Sequence, residues 1–228
     1  MRSAVSWMAL VAWAGCGGDS GVTVSGDAFD FLGPMIRNAK ISVLEDPSRT
    51  TTSGASGHFV FDDIPVGSEL TLVLDHPDYM PIQTGTHLID EGGLDRITFQ
   101  AVSPAIYGLL ADGLGATPDP ERCQLVTTVT RVGKSIYDAE AHGEAGATVT
   151  LDPPLPLEQG PIYFNASVRP DRTLTETSAD GGVLYLNVPP GEYTWTAHKD
   201  GVSFTQLKMI CRAGVLVNAS PPRGLQAL

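Results

Sequence analysis

The sequence predicts an all-β protein: two tandem β-sandwich modules joined by a short helical linker, behind an N-terminal signal peptide and a flexible tether. Three observations predict it. The chain repeats itself, both copies alternate apolar and polar residues over short runs between Gly- and Pro-centred turns, and neither copy has helical periodicity. "TSGASGHFVFDDIPVGSELTLVL" occupies residues 52–74 and "TSADGGVLYLNVPPGEYTWTA" occupies 177–197. With Gly57 set on Gly181, Pro65 falls on Pro189 and Gly67 on Gly191 without a gap. Phe59, Phe61 and Ile64 then fall on Val183, Tyr185 and Val188. Each copy is a glycine, an alternating strand, a Pro-x-Gly turn and a second strand, "ELTLVL" or "EYTWTA".

Composition bounds what such a protein can do. With 228 residues, 42% of them apolar, the chain is long enough for one large domain or two small ones. Its 26 acidic side chains against 14 basic give a formal net charge of −12. That balance argues against binding nucleic acid and against adsorbing to an anionic bilayer by charge.

The elements follow in order. Arg2 precedes an apolar stretch from Ala4 to Ala14, too short for a membrane-spanning helix but of the length of a signal-peptide core. Ala14-Gly15-Cys16 resembles a bacterial lipobox, although Trp13 stands where leucine is usual. The resemblance implies cleavage after residue 15 and lipidation of Cys16, with an ordinary signal peptide as the alternative. Residues 16–21 then read as a lipidated tether. Gly17 after the cysteine points to an exported protein lipid-anchored to a bacterial membrane, the outer one.

The first sandwich is expected over residues 22–102, from the strand "VTVSGDAFDFL" through "GPMIRNAKISVLE" to the strands of the repeat. Residues 103–122 form the linker: Ser103 caps a helix that Pro104 opens, Ile106, Leu109, Leu110 and Leu114 give it an apolar face, and Gly113 and Gly115 end it. Such a helix plugs the end of a sandwich or acts as a hinge or docking element; the plug is the simpler expectation. The second, degenerate sandwich is expected over 123–220, with "LVTTVTRVGKSIYD" and "HGEAGATVTLD" as its opening strands. It carries an insertion, "PPLPLEQGPIYFNASVRPDR", read as a long hairpin or loop over one end. With Cys16 lipidated, Cys123 and Cys211 remain as an even pair in an oxidising compartment and are expected to form a disulfide, two buried thiols being the alternative.

The stretch from Gly33 to Tyr79 resembles a carboxypeptidase regulatory-like domain, the transthyretin-like (prealbumin-like) Greek-key sandwich. The resemblance is carried by Ala39, Thr50–Thr52, Gly57 with Phe59 and Phe61, Ile64-Pro65-Val66-Gly67 and Tyr79. The second copy is similar through Ala147, Thr175, Asp180-Gly181 and Val188-Pro189-Pro190-Gly191. The resemblance implies a fold and is nearly silent on activity.

Chemistry is not evident. His58, His76, His87, His142 and His198 form no paired metal motif, so no metal and no cofactor are expected. His76 and His198 are read as equivalent strand-end positions of the two copies. Iron held by His76 and Tyr79, as in dioxygenases on a prealbumin-like sandwich, finds no support in the spacing of the other tyrosines. "GASG" reads as a hairpin turn rather than a GxSxG elbow, and Asp62, Asp63, Asp75 and Asp78 lack EF-hand spacing. The expectation is a non-catalytic cell-envelope lipoprotein that binds a glycan or another envelope protein. Trp195 and Tyr163 are the candidate glycan contacts. The alternatives are an accessory subunit of an exported enzyme and a structural spacer.

Overall fold

Alternating strands dominate the computed structural model, which describes residues 21–138 and 140–228. Cys16, the signal segment and tether residues 16–20 lie outside the described residues. The first half holds β1 (Gly21–Asp30), β2 (Lys40–Val43), β3 (Thr50–Thr52), β4 (His58–Pro65), β5 (Glu69–Leu70), β6 (Leu72–Asp75), β7 (Ile82–Thr84), β8 (His87–Leu88) and β9 (Leu94–Ala101). Helix α1 (Pro104–Gly113) follows. The second half holds β10 (Cys123–Thr130), β11 (Thr148–Asp152), β12 (Ile162–Phe164), β13 (Pro170–Asp171), β14 (Gly182–Val188), β15 (Gly191–His198), β16 (Leu207–Cys211), β17 (Leu216–Asn218) and β18 (Leu225–Gln226).

The halves share a pairing plan. β1 runs antiparallel to β4 and parallel to β9, just as β10 runs antiparallel to β14 and parallel to β17. β2 pairs with β6 as β11 pairs with β15. Facing layers enclose a core in each half. In the first, Val24, Phe59 and Phe99 meet Ile41, Leu72 and Leu74; in the second, Leu125, Val183 and Tyr185 meet Val149, Trp195 and Met209. Gly26 lets β1 lie close to its neighbours, because a Cβ there would sit 1.7 Å from the Ile97 carbonyl oxygen.

Repeat-equivalent residues do the same local work. Gly57 and Gly181 take φ of +77° and +80°, and their carbonyls accept the N–H groups of Ala28 and Val129, each at 2.9 Å. The hydroxyl of Ser53 accepts the Ala39 N–H (3.0 Å) and donates to the Ile36 carbonyl (2.8 Å). The hydroxyl of Thr177 accepts the Ala147 N–H (2.9 Å) and donates to the Glu144 carbonyl (2.5 Å). Each hydroxyl satisfies backbone groups that the strand ladder leaves over. After the Pro-x-Gly turn the copies slip by one residue, because Ser68 has no counterpart. Leu70, Leu72 and Leu74 therefore match Tyr193, Trp195 and Ala197, and Asp75, not His76, matches His198.

The halves are also joined by strand pairing. β17 runs parallel to β7 (Leu216↔Ile82, Asn218↔Thr84), making one ten-stranded sheet through both halves. Arg212 donates to Gln83 Oε1 (2.8 Å), Gln83 Nε2 donates to the Ile210 carbonyl (2.5 Å), and Lys208 pairs with Glu69 (2.9 Å). Arg96 stacks on Tyr137 at 4.3 Å. The chain also remains structured beyond residue 220: β18 pairs with β10, and Leu225 belongs to the core. Cys123 and Cys211 form a disulfide that ties β10 to β16 across the layers.

Candidate functional site

The candidate site arises where one strand departs from alternation. In β4, "HFVFDD" buries Phe59 and Phe61 and turns His58, Val60 and Asp62 outward. In β14, "GVLYLNV" is apolar on both faces. Val183, Tyr185 and Val188 enter the core, while Leu184 and Leu186 lie on the outer face with Ile162 of β12 and Val126 of β10. Strand β14 is buried on both sides, as its unbroken apolar run requires. The insertion forms the β12–β13 hairpin, which extends the sheet beside β14.

Helix α1 lies across this outer face. Ser103 accepts the Ile106 N–H (3.4 Å), Pro104 opens the first turn, and Gly115 (φ +61°) ends the helix. The expectation of a plug is corrected. Of the helix residues only Ala111 is buried, and Leu109 is 67% exposed. Leu114 and Ala116, just past the helix, pack on Leu184 and Leu186, so the helix forms a wall instead of a stopper. The space between wall and sheet is a cleft of about 660 Å³. This volume lies within the range of small-molecule sites.

The cleft has a polarity along its length. At one end Asn187 pins the linker. Its side chain accepts the Asp119 N–H (2.9 Å) and donates to the Thr117 carbonyl (2.9 Å), and its left-handed backbone (φ +51°) places it there. Leu114, Ala116, Pro118 and Leu186 line that end. At the other end, where Thr128 faces Gly182, lie Arg169 on the β12–β13 turn, His142 and Asp180. Burial raises the Asp180 pKa, opposed by the Gly182 N–H that its carboxylate accepts at 3.0 Å and by His142. Burial likewise raises the Tyr107 pKa on the helix wall, opposed by its hydrogen bond with Gln124. Buried polar side chains run along the β10–β17 floor: Gln124, Thr128, Asn218 and Ser220.

Neither predicted glycan contact is on this surface, and that expectation is corrected. Trp195 is 0% and Tyr163 2% exposed. The indole packs edge-on against Tyr185 at 5.2 Å and its N–H points to the Met209 sulfur. The Tyr163 hydroxyl accepts the Val149 N–H at 3.0 Å. Both rings belong to inward positions of their strands, so no face is open to a sugar. Cys16 lies outside the described residues. Among the described residues no cluster of His, Cys, Asp and Glu is placed to hold a metal. His76 rests against Tyr79 at 5.3 Å between ring centroids.

No protein-family model and no curated protein matches the chain. Solved structures that resemble it include the Bacillus anthracis TIE protein, at 14% identity and a TM-score of 0.30, with 86% of this chain and 32% of that one covered. The chain thus spans about a third of that relative. The shaft pilin SpaA of Lactobacillus rhamnosus GG matches at 8% identity and a TM-score of 0.27, covering 91% of this chain and 97% of the pilin. A candidate carbohydrate-binding protein of Bacteroides uniformis matches at 10% identity and a TM-score of 0.31, covering 84% and 97%. At these TM-scores the likenesses carry no argument about what this chain does.

Proposed function

We propose that this is a non-catalytic, exported binding protein, built of two tandem prealbumin-like modules and anchored to a bacterial membrane through lipid on Cys16. Its site is the cleft beneath α1, which takes up the apolar part of a partner. The observation that carries this reading is the cleft itself: a buried apolar floor of Leu184 and Leu186 faces a helix wall whose leucines stay exposed across the gap. Phe31, Leu109, Leu110 and Val168 on its rim are exposed, which is the pattern of an interaction surface. Saturable Nile red fluorescence on the folded protein, lost in Leu110→Asp with an unchanged circular dichroism spectrum, is the expected result. Dye uptake that does not saturate, or that survives Leu110→Asp, overturns it. Anchoring predicts labelled palmitate on the wild-type chain and none on Cys16→Ser.

A second reading, a rigid spacer, is favoured by the β17–β7 pairing, which ties the halves together through one sheet. It predicts that a Leu110→Asp variant, though blind to Nile red, still supports the envelope function of the wild type.

A further inference from the structure

The lining of the cleft is uneven in a way that selects a ligand. Its β14 floor and helix wall are aliphatic and aromatic, its β10–β17 floor carries neutral polar side chains, and Arg169, His142 and Asp180 gather at one end. Arg169 is the sole permanent cation among the lining residues. Its backbone N–H is held by Asn165 Oδ1 at 3.3 Å, and among the described residues its guanidinium meets no carboxylate. In a chain of net charge −12, an unpaired guanidinium beside an apolar cleft is a point of attraction for an anion. Asp180, at the same end, accepts the Gly182 N–H and makes no ion pair with Arg169.

A second, independent observation lies on the floor. Asn218 is 9% exposed and lines the cleft. Its Oδ1 accepts the Ser220 N–H at 3.0 Å, and its Nδ2 donates to no acceptor among the described residues. That Nδ2 is not sealed from solvent, so it is a donor that water satisfies and a ligand's acceptor can take over.

We infer that the cleft binds a single-chain anionic amphiphile, with its alkyl chain along the β14–α1 trough and its carboxylate on Arg169. The inference rests on the cleft being a binding site at all. From Gln124 to Thr128 the floor runs four strand steps, roughly 14 Å, which accommodates a medium-length alkyl chain. The planar Arg169 fork suits a carboxylate.

The test uses the full mature chain carrying Cys16→Ser, titrated with laurate, dodecyltrimethylammonium and monolaurin below their micellar concentrations. Nile red displacement and calorimetry are the readouts. Laurate is expected to bind one site, more tightly than monolaurin, with dodecyltrimethylammonium weakest. Arg169→Gln is expected to weaken laurate about tenfold and leave monolaurin unchanged, because only the charge-assisted bond is lost. Equal binding of laurate and monolaurin, indifferent to Arg169→Gln, overturns the anionic inference and leaves the cleft reading standing. Binding of none of the three, with Nile red also silent, overturns both.

Discussion

Thr177 offers the most direct test of how each core is closed. Its hydroxyl takes the N–H of fully buried Ala147 and gives its proton to the Glu144 carbonyl. Thr177→Val keeps the shape and removes both bonds. A buried N–H left without an acceptor costs about 1–3 kcal/mol, and the lost donation to the carbonyl adds about 1 kcal/mol. The expected loss is therefore about 2–4 kcal/mol, or roughly 5–15 °C in Tm for a chain of this size. Thr177→Ser, which keeps the hydroxyl, is expected to fall within about 1 kcal/mol of wild type. Urea unfolding followed by tryptophan fluorescence is the assay. Trp195 is the one tryptophan after residue 15, and it sits in the core that Thr177 borders. Ser53→Ala removes the matching pair of bonds in the other core, from Ala39 and to Ile36. The two sites share no partner, so their costs add in the double variant. A loss below about 0.5 kcal/mol for both single variants refutes the view that these hydroxyls, and not the strand ladders, satisfy the backbone there.

Two further outcomes are expected. Reducing the Cys123–Cys211 bond, whose partners are 88 residues apart, lowers stability by roughly 4.5 kcal/mol in the chain-entropy model, measurable as a shift of the urea midpoint with and without reductant. An unchanged midpoint counts against any constraint from this bond on the unfolded chain. His87 is held neutral by burial, its pKa pushed down to about 4, and its Nε2 has no partner among the described residues. The unfolded chain takes up this proton below pH 6.5 and the folded chain does not, so the stability His87 permits at pH 7 falls away as the pH drops towards 4. The stability gap between wild type and His87→Gln should narrow, or swing towards the variant, by about 2 kcal/mol from pH 7 to pH 5. A gap independent of pH shows that the ring titrates freely.

The repeat and its turns were legible because their signals are local. Gly57 and Gly181 need a left-handed backbone, and Pro65 and Pro189 punctuate the same turn in each half. Helix α1 could be placed from Ser103, Pro104 and Gly115, though not its role, since capping fixes where a helix starts and not what it covers. Alternation alone left the face of Trp195 open, a core position or a glycan contact, and the strand pairing decides it: Trp195 takes the place of Leu72 in the core. The β17–β7 pairing was not legible at all. It joins segments more than 130 residues apart by backbone hydrogen bonds, which leave little trace in side-chain pattern.

The cleft is best understood by comparing outward positions in the same register. His58, Val60 and Asp62 on β4 correspond to Gly182, Leu184 and Leu186 on β14. The first face is finished for water: His58 meets Asp27 at 3.0 Å, and Asp62 accepts from Thr23 at 3.1 Å. On the second face the charge is gone, the ring and carboxylate replaced by a glycine and a leucine. Gly182 lets Phe164 lie against the strand, since a Cβ there would sit 2.8 Å from its ring. A leucine side chain moved from water into an apolar site contributes about 1.5–3 kcal/mol. Leu184 and Leu186, only 8% and 9% exposed, already realise most of this against Leu114 and Ala116. What a ligand can still gain lies with the exposed Leu109 and Leu110 on the opposite wall. Were the apolar face only a means of seating the linker, contact with α1 would be continuous and Leu109 and Leu110 would turn inward. They are exposed, and about 660 Å³ separates wall from floor. The two copies thus use one backbone plan for opposite surfaces, one solvated and one apolar beneath a cleft.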